Sequence, residues 1–238
     1  MGSGKTTTAE FLTDQLRRNH IPARFLAEGP TTVEPVHRLR VSPELPHPNA
    51  SWLDLTVDEF VELSLRKWRD YAAGLQTSAV VTVCDGLLFH GNMTDLLLMN
   101  ADRPALHRYV AEVIQILHDL DPIIIRYDPA DLPRALRSIA DERGPEWEAY
   151  QINWKVASPF GLSRSLRGFA GLVQLYQEYC AVCDEIFSEL PIPKLAIRNK
   201  GDWPSYYREI LAFLDVPRND RGGLLGVCSG PLADRHRS

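Results

Sequence analysis

Gly2-Ser3-Gly4-Lys5-Thr6-Thr7-Thr8-Ala9-Glu10-Phe11-Leu12 is the stretch that decides the fold. A loop that cradles phosphate reads GxxxxGK[ST], and Gly4, Lys5 and Thr6 are its last three positions. Each residue type has a task. Glycines let successive backbone N–H groups turn toward one anion, lysine reaches the β and γ phosphates, and the threonine hydroxyl ligates Mg²⁺. Such a loop must open a helix, whose N-terminal dipole favours the anion. The continuation TTAEFLTDQLRR does so, with small or apolar residues at Ala9, Phe11, Leu12 and Leu16 and a basic last turn at Arg17 and Arg18. A vector remnant would account for Met-Gly-Ser, but not for Lys-Thr-Thr running straight into a helix.

In this architecture the loop follows a buried central parallel strand. The first glycine of the motif and that strand both fall ahead of Met1, so either the start is placed too late, which is the expectation, or the protein has lost its central strand. A sheet without its central strand should show two unpaired strand edges and a slot in the core.

Outward from the loop, Arg24-Phe25-Leu26-Ala27 reads as a short buried strand ending at Glu28-Gly29-Pro30. A carboxylate at the C-terminal end of such a strand stands where α/β folds bind ligands, so Glu28 either faces substrate or sits in a surface turn. Residues 31–51, rich in proline, read as a long loop. Thr56 and Glu59 form a capping box opening a helix that Gly74 ends, with Phe60 and Trp68 as core. The run Ala79-Val80-Val81-Thr82-Val83-Cys84-Asp85-Gly86 is a buried strand delivering Asp85 to the same edge as the loop, which suits an acid acting through Mg²⁺ and its waters. Phe89 and His90 are either acceptor-pocket or core residues.

A helix over 104–120 precedes the strand Ile123–Tyr127, and Leu132–Gly144 reads as a helix with Arg134, Arg137 and Arg143. Arginines there suit the charge spread over equatorial oxygens in phosphoryl transfer, or else form a solvated basic face. Residues 145–168 mix Trp147, Tyr150, Trp154 and Phe160 with Lys155, Arg164 and Arg167, which suits a nucleobase ring or ordinary lid packing. The mobile lid is placed at about 132–168. A long helix over 169–190, a strand at 193–198 and a helix N-capped by Asp202 complete a domain ending near residue 217. Residues 218–238 show no periodicity and are expected to be a disordered tail.

Composition narrows the class. Of 238 residues, 45% are hydrophobic and 24% charged, the net charge is −5, and no apolar run is long enough for a membrane span. A transmembrane protein is excluded on this reading, and a general nucleic-acid binder is disfavoured. Cys84, Cys180, Cys183 and Cys228 are too few and too irregular for a disulfide framework, and Cys180 and Cys183 fall within a helical pattern. With no signal peptide recognised, a reduced cytoplasmic protein is expected, and the sequons at Asn49 and Asn92 carry no meaning.

The order GSGKTTTAEFL, a strand ending Glu-Gly-Pro, a strand ending Cys-Asp-Gly, a strand ending Tyr-Asp-Pro before an arginine helix, and a late strand leading to Gly-Asp-Trp resembles the thymidylate kinase-like branch of P-loop nucleoside and nucleotide kinases, over about residues 2–215. The resemblance implies a three-layer α/β/α P-loop NTPase fold with a parallel sheet and a helical lid. It implies ATP and Mg²⁺ as cofactors, Gly2, Ser3, Gly4, Lys5, Thr6 and Thr7 on the phosphates, and Thr6 with Asp85 at the metal. It also implies Arg137 or Arg143 as the lid arginine, and Glu28 as a catalytic base competing with Asp85. The family follows its acid with arginine, in Asp-Arg or Glu-Arg-Ser, whereas Asp85-Gly86-Leu87 stands here, which leaves the acceptor open.

The resulting expectation is an ATP- and Mg²⁺-dependent kinase of a small molecule, such as a nucleoside, nucleotide or antibiotic hydroxyl, as monomer or homodimer. A non-catalytic nucleotide-binding protein is the rival. Asn199-Lys200-Gly201-Asp202 spells the guanine-reading NKxD pattern, but switch motifs at suitable places are lacking.

Overall fold

A computed structural model describes residues 4–27, 55–76 and 78–220. Gly2, Ser3, Glu28, the loop expected at 31–51 and the tail beyond residue 220 lie outside the described residues. Helix α1 (Lys5–Arg18) starts at Gly4, whose φ of 75° belongs to the left-handed region that glycine enters freely. It buries Ala9, Leu12 and Leu16, and a turn at Asn19–Pro22 leads into β1 (Ala23–Leu26).

The capping box is present at α2 (Val57–Gln76): the Glu59 N–H donates to Thr56 Oγ1 at 3.2 Å and the Thr56 N–H to Glu59 Oε2 at 2.8 Å. The helix runs past Gly74, the expected stop. An exposed glycine in a helix costs only about 1 kcal/mol relative to alanine, so it weakens the last turn without ending it.

After β2 (Val81–Cys84) come α3 (Asn92–Leu98) and α4 (Arg103–Leu117), then β3 (Ile124–Pro129) and α5 (Leu132–Arg143). The chain continues through α6 (Pro145–Gln151), a π-helical turn at Ile152–Val156, α7 (Pro159–Ser163), α8 (Gly168–Glu189), β4 (Lys194–Asn199) and α9 (Trp203–Phe213). Helices α4, α5 and α9 share one start signal. Asp102, Asp131 and Asp202 each accept the N–H three residues on, with proline in the first turn. No described helix is long and apolar enough to cross a membrane.

Among the described residues the chain is thus mixed α/β and mostly helical, with parallel strands in two pairs rather than one continuous sheet. β1 runs parallel to β2, Ala23 opposite Val81 and Leu26 opposite Cys84. β3 runs parallel to β4, Ile124 opposite Lys194 and Asp128 opposite Arg198. No ladder joins β2 to β3.

Strand alternation divides the core between two faces. Val83, Ile125 and Tyr127 pack with Leu12, Leu16, Tyr206 and Ile210 of α1 and α9. Cys84 and Ile124 pack with the larger cluster on α2, α3, α4 and α8. At its centre the Tyr109 hydroxyl meets Ser64 Oγ at 2.7 Å and accepts from Trp68 Nε1 at 3.0 Å, while Asn92 Nδ2 donates to Ser64 at 2.8 Å. Asn92, a sequon residue, is therefore a buried core amide.

The segment expected as a mobile lid is packed against α8 over much of its length. Val156, Phe160 and Leu166 are buried in the larger cluster. Lys155, only 1% exposed, donates to the Tyr176 hydroxyl at 2.9 Å and lies over the Trp154 ring. Arg164 likewise lies over the Phe160 ring.

Candidate functional site

The site is built where α1 begins. Thr6 Oγ1 donates to Asp85 Oδ2 in a short contact, joining the loop to the residue that ends β2. The Asp85 N–H donates to the Leu26 carbonyl at 2.9 Å, so the ladder of β1 and β2 fixes that residue's backbone. Asp85 is buried, and its Oδ1 has no hydrogen-bond partner among the described residues. A buried carboxylate oxygen left unpaired is costly, and a cation or its water satisfies it.

Thr6 and Asp85 therefore fit the magnesium site expected of them: both are hard oxygen donors, and one carries an orphaned oxygen. Mg²⁺ is commonly held by one or two protein oxygens plus phosphates and water. Among the described residues there is no group of three or more His, Cys, Asp or Glu side chains able to hold a metal by themselves.

Lys5 lines the adjoining cavity and forms no ion pair among the described residues. Thr7 is exposed beside it, on the outer side of the first turn. Thr8 is buried, and its hydroxyl meets the Tyr127 hydroxyl at 2.9 Å, which ties α1 to β3. Burial raises the Tyr127 pKa above its usual value.

Gly4 is held by sterics as well as by φ. A Cβ there would stand 2.2 Å from Trp203 Cη2, and Trp203 is wedged edge-on against Tyr127 and Tyr206. In the sequence Trp203 follows the Asp202 cap and ends the late Gly-Asp-Trp. Nothing in spacing shows that a strand-end indole closes on the loop glycine.

The cavity measures about 1630 Å³ and includes Lys5, Asp85, Phe89, His90, Arg134 and Lys200 in its lining. Of the helix arginines, Arg134 reaches it. Arg137 is paired with Glu148 at 2.9 Å and lies 3.5 Å over the Phe169 ring, and Arg143 sits over Trp147. Neither Arg137 nor Arg143 lines the cavity. The cause is helical spacing, since Leu136, Ile139 and Ala140 occupy the buried stripe of α5 and leave Arg137 on the flank facing α6 and α8.

None of Cys84, Cys180 or Cys183 is in a disulfide. Burial pushes the Cys183 thiol from its ordinary 9.0 up to about 12, and raises Tyr109 and, further, Tyr179. These groups hold their protons more tightly folded than unfolded. Their contribution to stability is complete below their unfolded values and is lost as pH rises through the folded ones. Thermal melts from pH 8 to 11 should show stability falling steeply above about pH 9 to 10, the unfolded range of these groups. A flat profile through pH 11 would contradict the buried placement of these side chains.

Compared with protein-family models, curated proteins and solved structures, the chain matches none of them significantly.

Proposed function

We propose that the chain is an ATP- and Mg²⁺-dependent phosphotransferase with a three-layer α/β/α P-loop architecture, acting on a hydroxyl of a small-molecule acceptor. The observation that carries this reading is the contact of Thr6 with Asp85. It brings a GKT helix start and a strand-end acid together although 79 positions separate them.

In this mechanism Lys5 and the first N–H groups of α1 bind the β and γ phosphates, with the helix dipole adding to the attraction. Mg²⁺, when bound by Thr6 and Asp85, offsets charge on the phosphate oxygens. Arg134, the α5 arginine that lines the cavity, is the candidate for the transferring group, in place of Arg137 and Arg143. Asp85 either holds a metal water or accepts the acceptor's proton, and Glu28 is the competing base. Phe89 and His90 line the cavity and offer an apolar wall and a polar contact to the acceptor. Rate enhancement would come from positioning and electrostatics, with no covalent intermediate.

Isothermal titration with Mg–ATP and Mg–GTP tests the binding half of the proposal, and γ-labelled ATP against a panel of nucleosides, nucleotides and aminoglycosides tests the transfer half. ATP is expected to bind and GTP not, with label moving to one acceptor class. Preference for GTP would assign Asn199–Asp202 to guanine reading. Binding of ATP with no transfer to any acceptor would favour a non-catalytic nucleotide-binding protein, and no binding of either nucleotide would sink the assignment.

A further inference from the structure

Between Asp85 and α3 the chain turns through residues 86–91, and both ends of the turn are glycines in positive-φ backbone, Gly86 at 67° and Gly91 at 92°. Glycine enters that region freely and leaves it freely, so two such ends do not by themselves fix what lies between them. Residues 86–90 line the cavity. The flanks are tied down: the Asp85 N–H donates to the Leu26 carbonyl at 2.9 Å, and the Asp95 N–H to the Gly91 carbonyl at 2.9 Å.

The middle is held by side chains of two helices. The Tyr179 hydroxyl of α8 donates to the Phe89 carbonyl, 90 positions away in sequence. Thr94 Oγ1 of α3 donates to the same oxygen at 3.4 Å. A carbonyl oxygen has two lone pairs, so it takes both.

The packing of α8 brings Tyr179 to that height. Near its C-terminus, Asp184 pairs with Arg126 of β3, and the Phe187 ring carries both Arg126 and Lys194, the first residue of β4. Tyr179 lies eight residues earlier than Phe187, about 12 Å along the helix toward the carboxyl ends of the strands. Its ring meets Tyr176 edge-on at 6.2 Å, and Tyr176 is in turn held by Lys155. Burial raises the Tyr179 pKa well above the usual 10.0, so the hydroxyl keeps its proton to donate.

We propose that Tyr179, seconded by Thr94, is a positioning residue for the acceptor. By holding the Phe89 carbonyl against α8 and α3 it sets the wall that Phe89 and His90 present to the cavity, and the acceptor meets that wall already formed. The inference rests on the transferase reading. The phosphate side is insulated from it, because Lys5 and Thr6 belong to α1 and Asp85 is fixed from β1.

Full-length Tyr179→Phe, which keeps the ring and removes the donor, tests the proposal with γ-labelled ATP and whichever of thymidine, thymidine monophosphate and kanamycin takes the label. Loss of one net hydrogen bond should raise the acceptor KM about three- to tenfold, with the KM for Mg–ATP unchanged within about twofold. Without ligand, hydrogen exchange over residues 86–91 should quicken by a similar factor while that of Val110 and Val113 in α4 stays the same. Thr94→Val should act in the same direction and more weakly, since its bond is longer. An unmoved acceptor KM in Tyr179→Phe overturns the proposal. Acceptor and Mg–ATP KM rising together, or exchange quickening in α4 as well, would make Tyr179 merely structural and overturn it too. Absence of transfer by the unsubstituted chain sinks the transferase reading and this inference with it, whereas transfer by that chain with no shift in the variant overturns the inference alone.

Discussion

Replacing Lys5 with alanine is expected to lower phosphoryl-transfer turnover by about a hundredfold or more, the scale seen when one preorganised charge donor is removed from a transition state. That corresponds to about 2.7 kcal/mol of barrier. The size follows from position. Lys5 stands in the first turn of α1, lines the cavity and has no ion-pair partner among the described residues, so no fold-stabilising pair is lost with it. The melting temperature should therefore stay close to that of the unsubstituted chain while turnover collapses. Single-turnover kinetics with a circular-dichroism melt would check both halves. Retained turnover would remove the phosphate-loop assignment, and a parallel loss of fold would make Lys5 structural. In the same assay, Glu28→Gln and Asp85→Asn separate the two base candidates. If Asp85 acts mainly through the metal, raising Mg²⁺ should partly rescue Asp85→Asn, and the more severe loss should fall on Glu28→Gln.

The second large effect is on stability. Trp68→Ala should cost about 3 to 5 kcal/mol, out of a total of about 5 to 15 kcal/mol for a domain. Trp68 is 1% exposed and donates to the Tyr109 hydroxyl. Truncation thus opens an indole-sized void between α2 and α4 and leaves the Tyr109 hydroxyl with one donor fewer. Tyr109→Phe, which keeps the ring and orphans the Trp68 N–H and one bond of Ser64, should cost about 1 to 3 kcal/mol. Urea unfolding at neutral pH measures both. A loss below about 1 kcal/mol for Trp68→Ala would mean that the cluster on α2, α3, α4 and α8 is not the main core.

Local signals carried the sequence reading a long way. All four described strands fall within two residues of their expected bounds, because each is a β-branched or apolar run cut off by proline, glycine or aspartate. The capping box at Thr56 and the cap at Asp202 were legible because the atoms that bond lie three residues apart. Contacts across the chain were not legible. No pattern within α5 shows that Arg134 faces the cavity and Arg137 lies on Phe169, since that depends on where α6 and α8 pack. Nor does spacing show that Trp203 closes on Gly4, or that Lys155 is buried on Tyr176. For Thr6 and Asp85 the residue types and the shared sheet edge were readable, while their bond needed the parallel register of β1 and β2.

The facing edges of β2 and β3 also bear on how the protein is made. Among the described residues no ladder joins these two strands, although both line the same cavity. Such edges are templates for pairing with other chains. Soluble yield in cells should therefore depend on holdase chaperones that shield these edges.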